Sequence, residues 1–141
     1  MNDTPYNLDD QVGFLLRRAT QRHLAIFARA IPDLTPPQFA VLAKLHAKGA
    51  MSQNALGREV AMDAATVKGV VDRLAVRGLV ATARDATDRR RMSVDLSAAG
   101  RARYAELEPL ARVITAETLA PLDPAEQAVV LGLLDRLAET S

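Results

Sequence analysis

Cysteine is absent from this chain of 141 residues, and histidine occurs only twice. Without cysteine there are no disulfides and no thiolate chemistry, which excludes thiol-based peroxide sensing and cysteine-ligated zinc. The two imidazoles, His23 and His46, are too few to predict a metal site. We therefore predict no metal and no cofactor.

Long apolar runs are absent as well, and Arg17, Arg18 and Arg22 interrupt the first helical stretch. Nothing resembles a signal peptide or a membrane span, so we expect a cytoplasmic protein with no membrane partner. The chain also lacks a nucleophile elbow, a glycine-rich phosphate loop and the spacing of metal ligands. Because its length suits a single domain, these absences together predict that it is not an enzyme.

Arginine is abundant, and the charge that it carries is unevenly placed. Fifteen of the eighteen cations are arginines. Residues 58–103 carry ten basic and six acidic side chains, a net charge of +4, whereas residues 104–141 carry two basic and seven acidic ones, a net charge of −5. The guanidinium fork suits phosphates and base edges, so a nucleic-acid surface in the middle of the chain is one interpretation. Ordinary scatter of charge over a solvated surface is the other.

Two helices are predicted in the first third of the chain. From Leu8 to Ala30, apolar residues recur every three or four positions, which is typical of one long amphipathic helix. A proline-containing break follows, after which Thr35 can cap a second helix that runs from about Pro36 to Lys48.

Two short helices with a tight turn between them are predicted next. Ser52 can cap the first and Asp63 the second, and Gly78 follows where a helix end favours glycine. This is the layout of a helix-turn-helix, whose second helix enters the major groove of DNA. The residues predicted to point outward from that helix are Ala64, Ala65, Thr66, Lys68 and Gly69. Helices that contact only water carry similar residues, so the pair by itself leaves both interpretations open.

A β-hairpin with an arginine-rich tip is predicted after the helix pair, with strands at 79–84 and 92–96. The polar turn between the strands contains Asp88, Arg89, Arg90 and Arg91. A hairpin in this place is called a wing, and its cations contact phosphates or enter the minor groove. The carboxylate of Asp88 can orient the guanidinium of Arg90, form the turn, or do both.

These residues carry a resemblance to the MarR family. The family's wing pattern, D-x-R-x-x-x-V-x-L-[TS]-x-x-G, is matched by Asp88, Arg90, Val94, Leu96, Ser97 and Gly100. Residues 72–80, DRLAVRGLV, are similar to the family's exit from its recognition helix. The resemblance covers nearly the whole chain. It implies one MarR-type domain over residues 1–141, mainly α with a small β-hairpin wing, in which residues 35–103 form the winged helix-turn-helix.

The resemblance also implies that residues 1–34 and 104–141 form dimerisation helices. Ser97 can cap a long helix to about Leu119, and Asp123 can cap a last one. The last helix has an apolar stripe that consists of Val129, Val130, Leu133, Leu134 and Leu137. That stripe can pack within its own chain or across a twofold axis, and the resemblance favours a homodimer. A twofold axis predicts a pseudo-palindromic operator in double-stranded DNA.

In function, the resemblance implies a sequence-specific DNA-binding transcriptional regulator, a repressor that a small aromatic or anionic ligand releases. Short polar side chains at the start of the bracing helix suit phosphates; these are Ser52, Gln53 and Asn54. Contacts with bases are assigned to four outward residues of the recognition helix, which are Ala65, Thr66, Lys68 and Gly69. Arg73, Arg77 and Arg84 are predicted to contact phosphates or to form internal pairs.

The predicted effector is a small aromatic acid or an acyl-CoA. Cations and aromatic surface for it are offered by Arg17, Arg18, Arg22, His23, Phe27 and Phe39. A solvated arginine face and a core histidine are the ordinary alternatives for these residues.

A winged helix that binds another protein instead of DNA is the competing function, because a fold does not fix a function. The arginine-rich wing favours DNA. The two functions differ measurably, since DNA binding weakens steeply with salt and on replacement of Arg90.

Overall fold

The computed structural model describes residues 4–139, and within that range it contains six α-helices and three short β-strands. In chain order these are α1 (Val12–Ala30), α2 (Pro36–Lys48), β1 (Met51–Ser52), α3 (Gln53–Glu59), α4 (Ala64–Val76), β2 (Val80–Arg84), β3 (Met92–Leu96), α5 (Ala98–Leu119) and α6 (Pro124–Ala138). The predicted fold class, mainly α with a small β wing, is confirmed. Among the helices of this range, none combines the length and the apolar character that a membrane span requires.

Five of these helices begin at side chains that the sequence marks as caps. Each cap oxygen accepts a hydrogen bond from the backbone N–H three residues further on, a donor that the helix itself leaves free. The caps are Thr35, Ser52, Asp63, Ser97 and Asp123. Two of them are parts of capping boxes, in which Gln38 and Glu126 bond back to the cap. The predicted starts of α2 to α6 are therefore confirmed.

The first predicted helix is shorter than its apolar pattern suggests. Residues Leu8–Asp10 form a separate 3₁₀ turn, and the extended backbone of Gln11 divides it from α1. The side chain of Asn7 accepts a hydrogen bond from the Asp9 N–H and so closes the short turn. The spacing of apolar residues does not reveal a side chain, such as that of Asn7, that competes for the backbone N–H groups.

The three strands form one antiparallel sheet in the order β1-β3-β2. β2 and β3 are the predicted hairpin, with Val80 opposite Leu96 and Thr82 opposite Val94. β1 was not predicted, because two residues are too short to show an alternating pattern. It pairs Met51 with Val94 and thereby joins the start of α3 to the wing.

The hydrophobic core lies between α1, α2, α4, α5 and the base of the sheet. Its fully buried side chains include Leu42, Leu45, Leu56, Leu74, Val94 and Leu107. α1 packs along α5, and α2 contacts both α5 and the helix-turn-helix, so α2 connects the two long helices to α3 and α4.

A glycine at the start of α5 lies directly against the chain that leaves α4. A Cβ on Gly100 would lie 1.9 Å from the carbonyl oxygen of Leu79. The same carbonyl accepts a hydrogen bond from the Ser97 N–H, and the Ser97 hydroxyl donates to the Gly78 carbonyl at 2.5 Å. The final Ser and Gly of the wing pattern thus form a close junction between α4 and α5.

Large apolar side chains are exposed on α1, α5 and α6. No residue of α6 is buried, although the helix carries the predicted apolar stripe. On the three helices together, the exposed apolar side chains include Val12, Leu15, Leu16, Leu24, Val113, Val129, Leu131, Leu133 and Leu137. The chain's own α5 therefore does not cover the stripe. Packing of the stripe within its own chain was one of the two predicted alternatives.

Ala61→Gly is expected to raise the free energy of unfolding by about 0.5–1 kcal/mol. Ala61 lies in the turn between α3 and α4 with φ at 56°, a left-handed conformation that costs an alanine energy and a glycine almost none. Chemical denaturation would measure the change. The control is Ala102→Gly in the middle of a right-handed helical stretch of α5, which should lower stability by about 1 kcal/mol. A loss of stability in Ala61→Gly would contradict the prediction.

Candidate nucleic-acid interface

α3 and α4 form a helix-turn-helix in which one face of α4 is buried. The buried residues of α4 are Val67, Val70, Val71 and Leu74. α3 approaches closely at Gly57, where an added Cβ would lie 3.3 Å from Val67 Cγ1. The opposite face of α4 holds the residues predicted to read bases, of which Ala64, Ala65, Thr66 and Lys68 are exposed and Gly69 is half-buried.

The N-terminus of α4 is fixed by its cap. Asp63 Oδ1 accepts a hydrogen bond from the Thr66 N–H at 2.7 Å, and hydrogen bonds from Thr66 lower the pKa of Asp63. The carboxylate is therefore ionised at neutral pH, where it complements the positive end of the helix dipole. Thr66 is held at the exposed start of the recognition helix as a result.

Asp72 is part of the exposed face of α4 and was not predicted as a site residue. Its Oδ2 accepts a hydrogen bond from Lys68 Nζ at 2.7 Å, one helical turn away. The spacing of four residues between lysine and aspartate was the signal available in the sequence. The carboxylate restricts the directions in which the Lys68 ammonium can point, and its negative charge repels other anions. Arg73 extends along the same face and passes close to Gly69.

The start of α3 and the wing line one small polar cleft of about 80 Å³. Its walls are Ser52, Gln53, Asn54, Arg90, Arg91 and Met92. Pairing of β1 with β3 brings these two segments together, although nearly forty residues separate them in the chain. Two guanidinium groups beside short polar side chains are suited to a phosphate of the DNA backbone.

The tip of the wing is an ordered turn. Arg84 Nη1 donates to the carbonyl of Arg89 at 2.8 Å, so Arg84 supports the turn from within. Asp88 Oδ1 accepts from the Arg90 N–H at 3.0 Å and lies 3.5 Å from Arg90 Nε. Asp88 therefore shapes the turn and also faces the guanidinium, which were its two predicted roles. The side chain of Arg90 is 94% exposed and free to extend into a groove.

The residues predicted to bind an effector do not converge on one site. Arg22 donates from Nη1 to the Thr118 carbonyl at 2.7 Å and from Nη2 to the Glu117 carbonyl at 2.9 Å. It thus binds two carbonyls in the last turn of α5. His23 Nδ1 lies 2.9 Å from the hydroxyl of Thr118. Both side chains fasten α1 to α5.

The other four candidates are divided between two places. Arg17 and Arg18 lie beside the ring of Phe14, 5.6 and 5.9 Å from its centroid. Phe27 is buried and meets the edge of Phe39, with ring centroids 6.3 Å apart. Within residues 4–139, no cluster of three potential metal ligands occurs.

Two cavities lie beside these residues. An apolar one of about 300 Å³ between α1, α5 and α6 includes His23 in its wall. A wider groove of about 460 Å³ lies between α2 and α5, and its lining includes Phe39, Tyr104, Glu108 and Arg112. Tyr104 stacks between Phe39 and His46, with centroid distances of 5.9 and 4.4 Å. Tyr104 and Arg112 were not predicted as site residues, since the groove forms only when α2 packs on α5.

Known proteins that are similar in sequence and in structure identify the family of this chain. The sequence profile of the MarR family matches residues 34–92. The chain is 39% identical over 142 residues to the transcriptional repressor NicR of Pseudomonas putida, covering 99% of this chain and 90% of NicR. This chain belongs to the MarR family. The family prediction is therefore confirmed, and the chain is a DNA-binding transcriptional regulator and not an enzyme.

Solved structures of MarR regulators superpose on nearly the whole chain. The BpsR protein of Bordetella bronchiseptica, whose DNA binding is regulated by 6-hydroxynicotinic acid, matches with a TM-score of 0.93 and 44% identity, covering 98% of this chain and 100% of BpsR. The repressor CouR, bound to a 23-mer DNA duplex, matches with a TM-score of 0.87 and 25% identity, covering 96% of this chain and 100% of CouR. Homodimers are typical of MarR structures.

Proposed function

We propose that this regulator is a homodimeric repressor that binds a pseudo-palindromic operator and is released from it by a small aromatic carboxylate. The observation that carries the first half is the recognition helix with an arginine-rich wing beside it. Exposed apolar faces on α1, α5 and α6 support the dimer, because a second copy can bury them. Two recognition helices related by a twofold axis would then read half-sites about one helical turn apart.

The contacts proposed with DNA follow from exposure and position. Ala64, Ala65, Thr66, Lys68 and Gly69 are assigned to the major groove, and Arg73 to the adjacent backbone. Ser52, Gln53, Asn54 and Arg91 are assigned to one phosphate through the shared cleft. Arg90, with Arg89 beside it, is assigned to the minor groove. Arg84 and Asp88 serve that contact indirectly by shaping the turn.

The groove between α2 and α5 is the proposed effector site. Phe39 and Tyr104 offer aromatic surface, and the Arg112 guanidinium at its edge is paired with Glu108 at 2.8 Å. A ligand carboxylate can take the place of Glu108 on Arg112 while the ligand ring packs on Tyr104. A monocyclic acid fits a groove of this volume better than an acyl-CoA, because an acyl-CoA is several times larger than such an acid. The similarity to BpsR favours a hydroxylated pyridine or benzene carboxylate.

The experiment is fluorescence anisotropy on duplex DNA from upstream of the gene, with a scrambled duplex as control, at two salt concentrations. We expect two chains per site and preference for the upstream duplex. Addition of 6-hydroxynicotinic acid should weaken that binding at least tenfold, whereas its neutral amide and a benzoyl thioester of coenzyme A should not. Arg112→Gln should keep operator affinity and lose the response, and Arg29→Gln on α1 is the matched control.

The two halves of the proposal fail separately. If the protein binds the operator but no aromatic acid weakens that binding, the proposed effector is wrong and the proposed repressor stands. Absence of any preference for the upstream duplex would contradict operator binding there, whatever the ligand does.

A further inference from the structure

One carboxylate joins three parts of the molecule at the end of α4 that is remote from its DNA-facing start. Asp33 lies in the loop between α1 and α2. Arg77, the C-cap residue of α4, donates from Nη1 to the Asp33 carbonyl at 2.6 Å and from Nη2 to Asp33 Oδ2 at 3.1 Å. Arg103 of α5 donates from Nη2 to the other carboxylate oxygen, Oδ1, at 2.8 Å. We call these three residues the Asp33 cluster.

The Asp33 cluster adds a third attachment to the end of α4. The first two connect α4 to α5, through the Ser97 hydroxyl on the Gly78 carbonyl and through the Ser97 N–H on the Leu79 carbonyl. The buried face of α4 also packs on the core, which prevents large movements but permits small changes of tilt. A forked guanidinium bound to a third point, in the α1–α2 loop, restricts that tilt further because its donors have fixed directions.

The orientation of α4 at its C-terminal end determines where its DNA-facing N-terminal end lies. α4 has 13 residues and is about 20 Å long, so its start moves by roughly 1 Å for each 3° of tilt. Base contacts by Thr66 and Lys68 depend on shifts of that size, because hydrogen bonds weaken steeply away from ideal geometry. Phosphate contacts by long flexible arginines tolerate them better.

The Asp33 cluster contributes little to folding stability. All three side chains are partly exposed, and ion pairs in such surroundings are worth little to the folded state. Burial opposes ionisation of Asp33, but the hydrogen bond from Arg77 and the charge of Arg103 outweigh it and lower the pKa of the carboxyl group. Asp33 is therefore ionised at neutral pH.

We propose that Asp33 is a positioning residue for operator recognition, which sets the orientation of α4 against α5 through Arg77 and Arg103 without touching DNA. Arg77 is then an internal restraint and not a phosphate contact, which decides between the two roles that the sequence left open for it.

Asp33→Ala tests this inference, because positioning and simple electrostatics predict opposite signs. Removal of a negative charge should by itself strengthen binding to every duplex. Positioning predicts instead that operator affinity falls about tenfold, while affinity for the scrambled duplex does not fall and the salt slope stays unchanged. Glu106→Gln is the control matched in charge, since it removes the other carboxylate on Arg103, at 3.3 Å, and leaves α4 untouched. It should not lower operator affinity.

Arg77→Gln should reproduce the loss in Asp33→Ala, and the double variant should be no worse than either single variant. Asp33→Glu should restore part of the selectivity. If Asp33→Ala does not fold, Arg77→Lys keeps the charge, removes the fork, and should show the same selective loss. Equal affinities for the operator in Asp33→Ala and wild type would overturn the proposal. A smaller salt slope in Arg77→Gln, with losses on both duplexes, would show a phosphate contact and would also overturn it.

Discussion

Gly100→Ala is expected to lower the free energy of unfolding by about 3 kcal/mol or more. The new methyl carbon would lie 1.9 Å from the Leu79 carbonyl oxygen and 3.3 Å from Leu96 Cδ2. The first neighbour is backbone held by the Ser97 N–H, so it cannot move aside without opening the junction between α4 and α5. Urea denaturation at a fixed protomer concentration would measure the loss.

The control for this prediction is Gly69→Ala in the middle of α4. There the added methyl group meets only the end of the Arg73 side chain, at 3.5 Å, and alanine favours a helix by about 1 kcal/mol over glycine. Gly69→Ala should therefore be more stable than wild type in the absence of DNA. If both variants changed stability by the same small amount, the close contact at Gly100 would not be the reason for glycine there.

Arg90→Ala is expected to weaken operator binding between tenfold and a hundredfold. The Arg90 side chain is exposed at the wing tip, lines the cleft with the start of α3, and has its backbone fixed by Asp88. Loss of a groove contact of this kind costs about 1–3 kcal/mol, and loss of its charge should reduce the salt slope by about 1. Anisotropy titrations over a range of salt concentrations would give both quantities.

Arg29→Ala is the control for charge, because Arg29 is an exposed arginine of α1 that pairs with Glu117 and lies outside the helix-turn-helix. It should leave the operator affinity and the salt slope within twofold of wild type. Equal losses in the two variants would mean that net charge, and not the wing, determines affinity. The folded state of Arg90→Ala should be intact, since its side chain supports no buried group.

The sequence predicted most of the fold because its signals were local. Ser97 and Asp123 mark helix starts by a hydrogen bond three residues away, and such a bond depends on little else in the chain. β1 escaped because its evidence is a pairing between Met51 and Val94, far apart in the sequence. The 3₁₀ turn at Leu8–Asp10 escaped because a side-chain acceptor, Asn7, interrupts an otherwise regular pattern.

In the candidate site, too, local features could be predicted from the sequence and contacts between distant residues could not. The exposed face of α4 and the arginines of the wing follow from periodicity and composition. Partners of individual charges do not, since Arg22 reaches the carbonyls at the end of α5 across about a hundred residues of sequence. The same is true of Arg77 and Asp33. A long arginine side chain can extend in several directions, and only the packed structure determines which acceptor is within its reach.

The seven residues at the tip of the wing lie beyond the last strand pair, Arg84 with Met92. Below that pair, alternate side chains such as Val80, Val94 and Leu96 are buried, so a slip of one residue would expose them to water. The register of β2 and β3 therefore does not depend on the residues of the tip. Insertions, deletions and charge changes between 85 and 91 can alter the reach of the wing while the buried side chains of the hairpin keep their places.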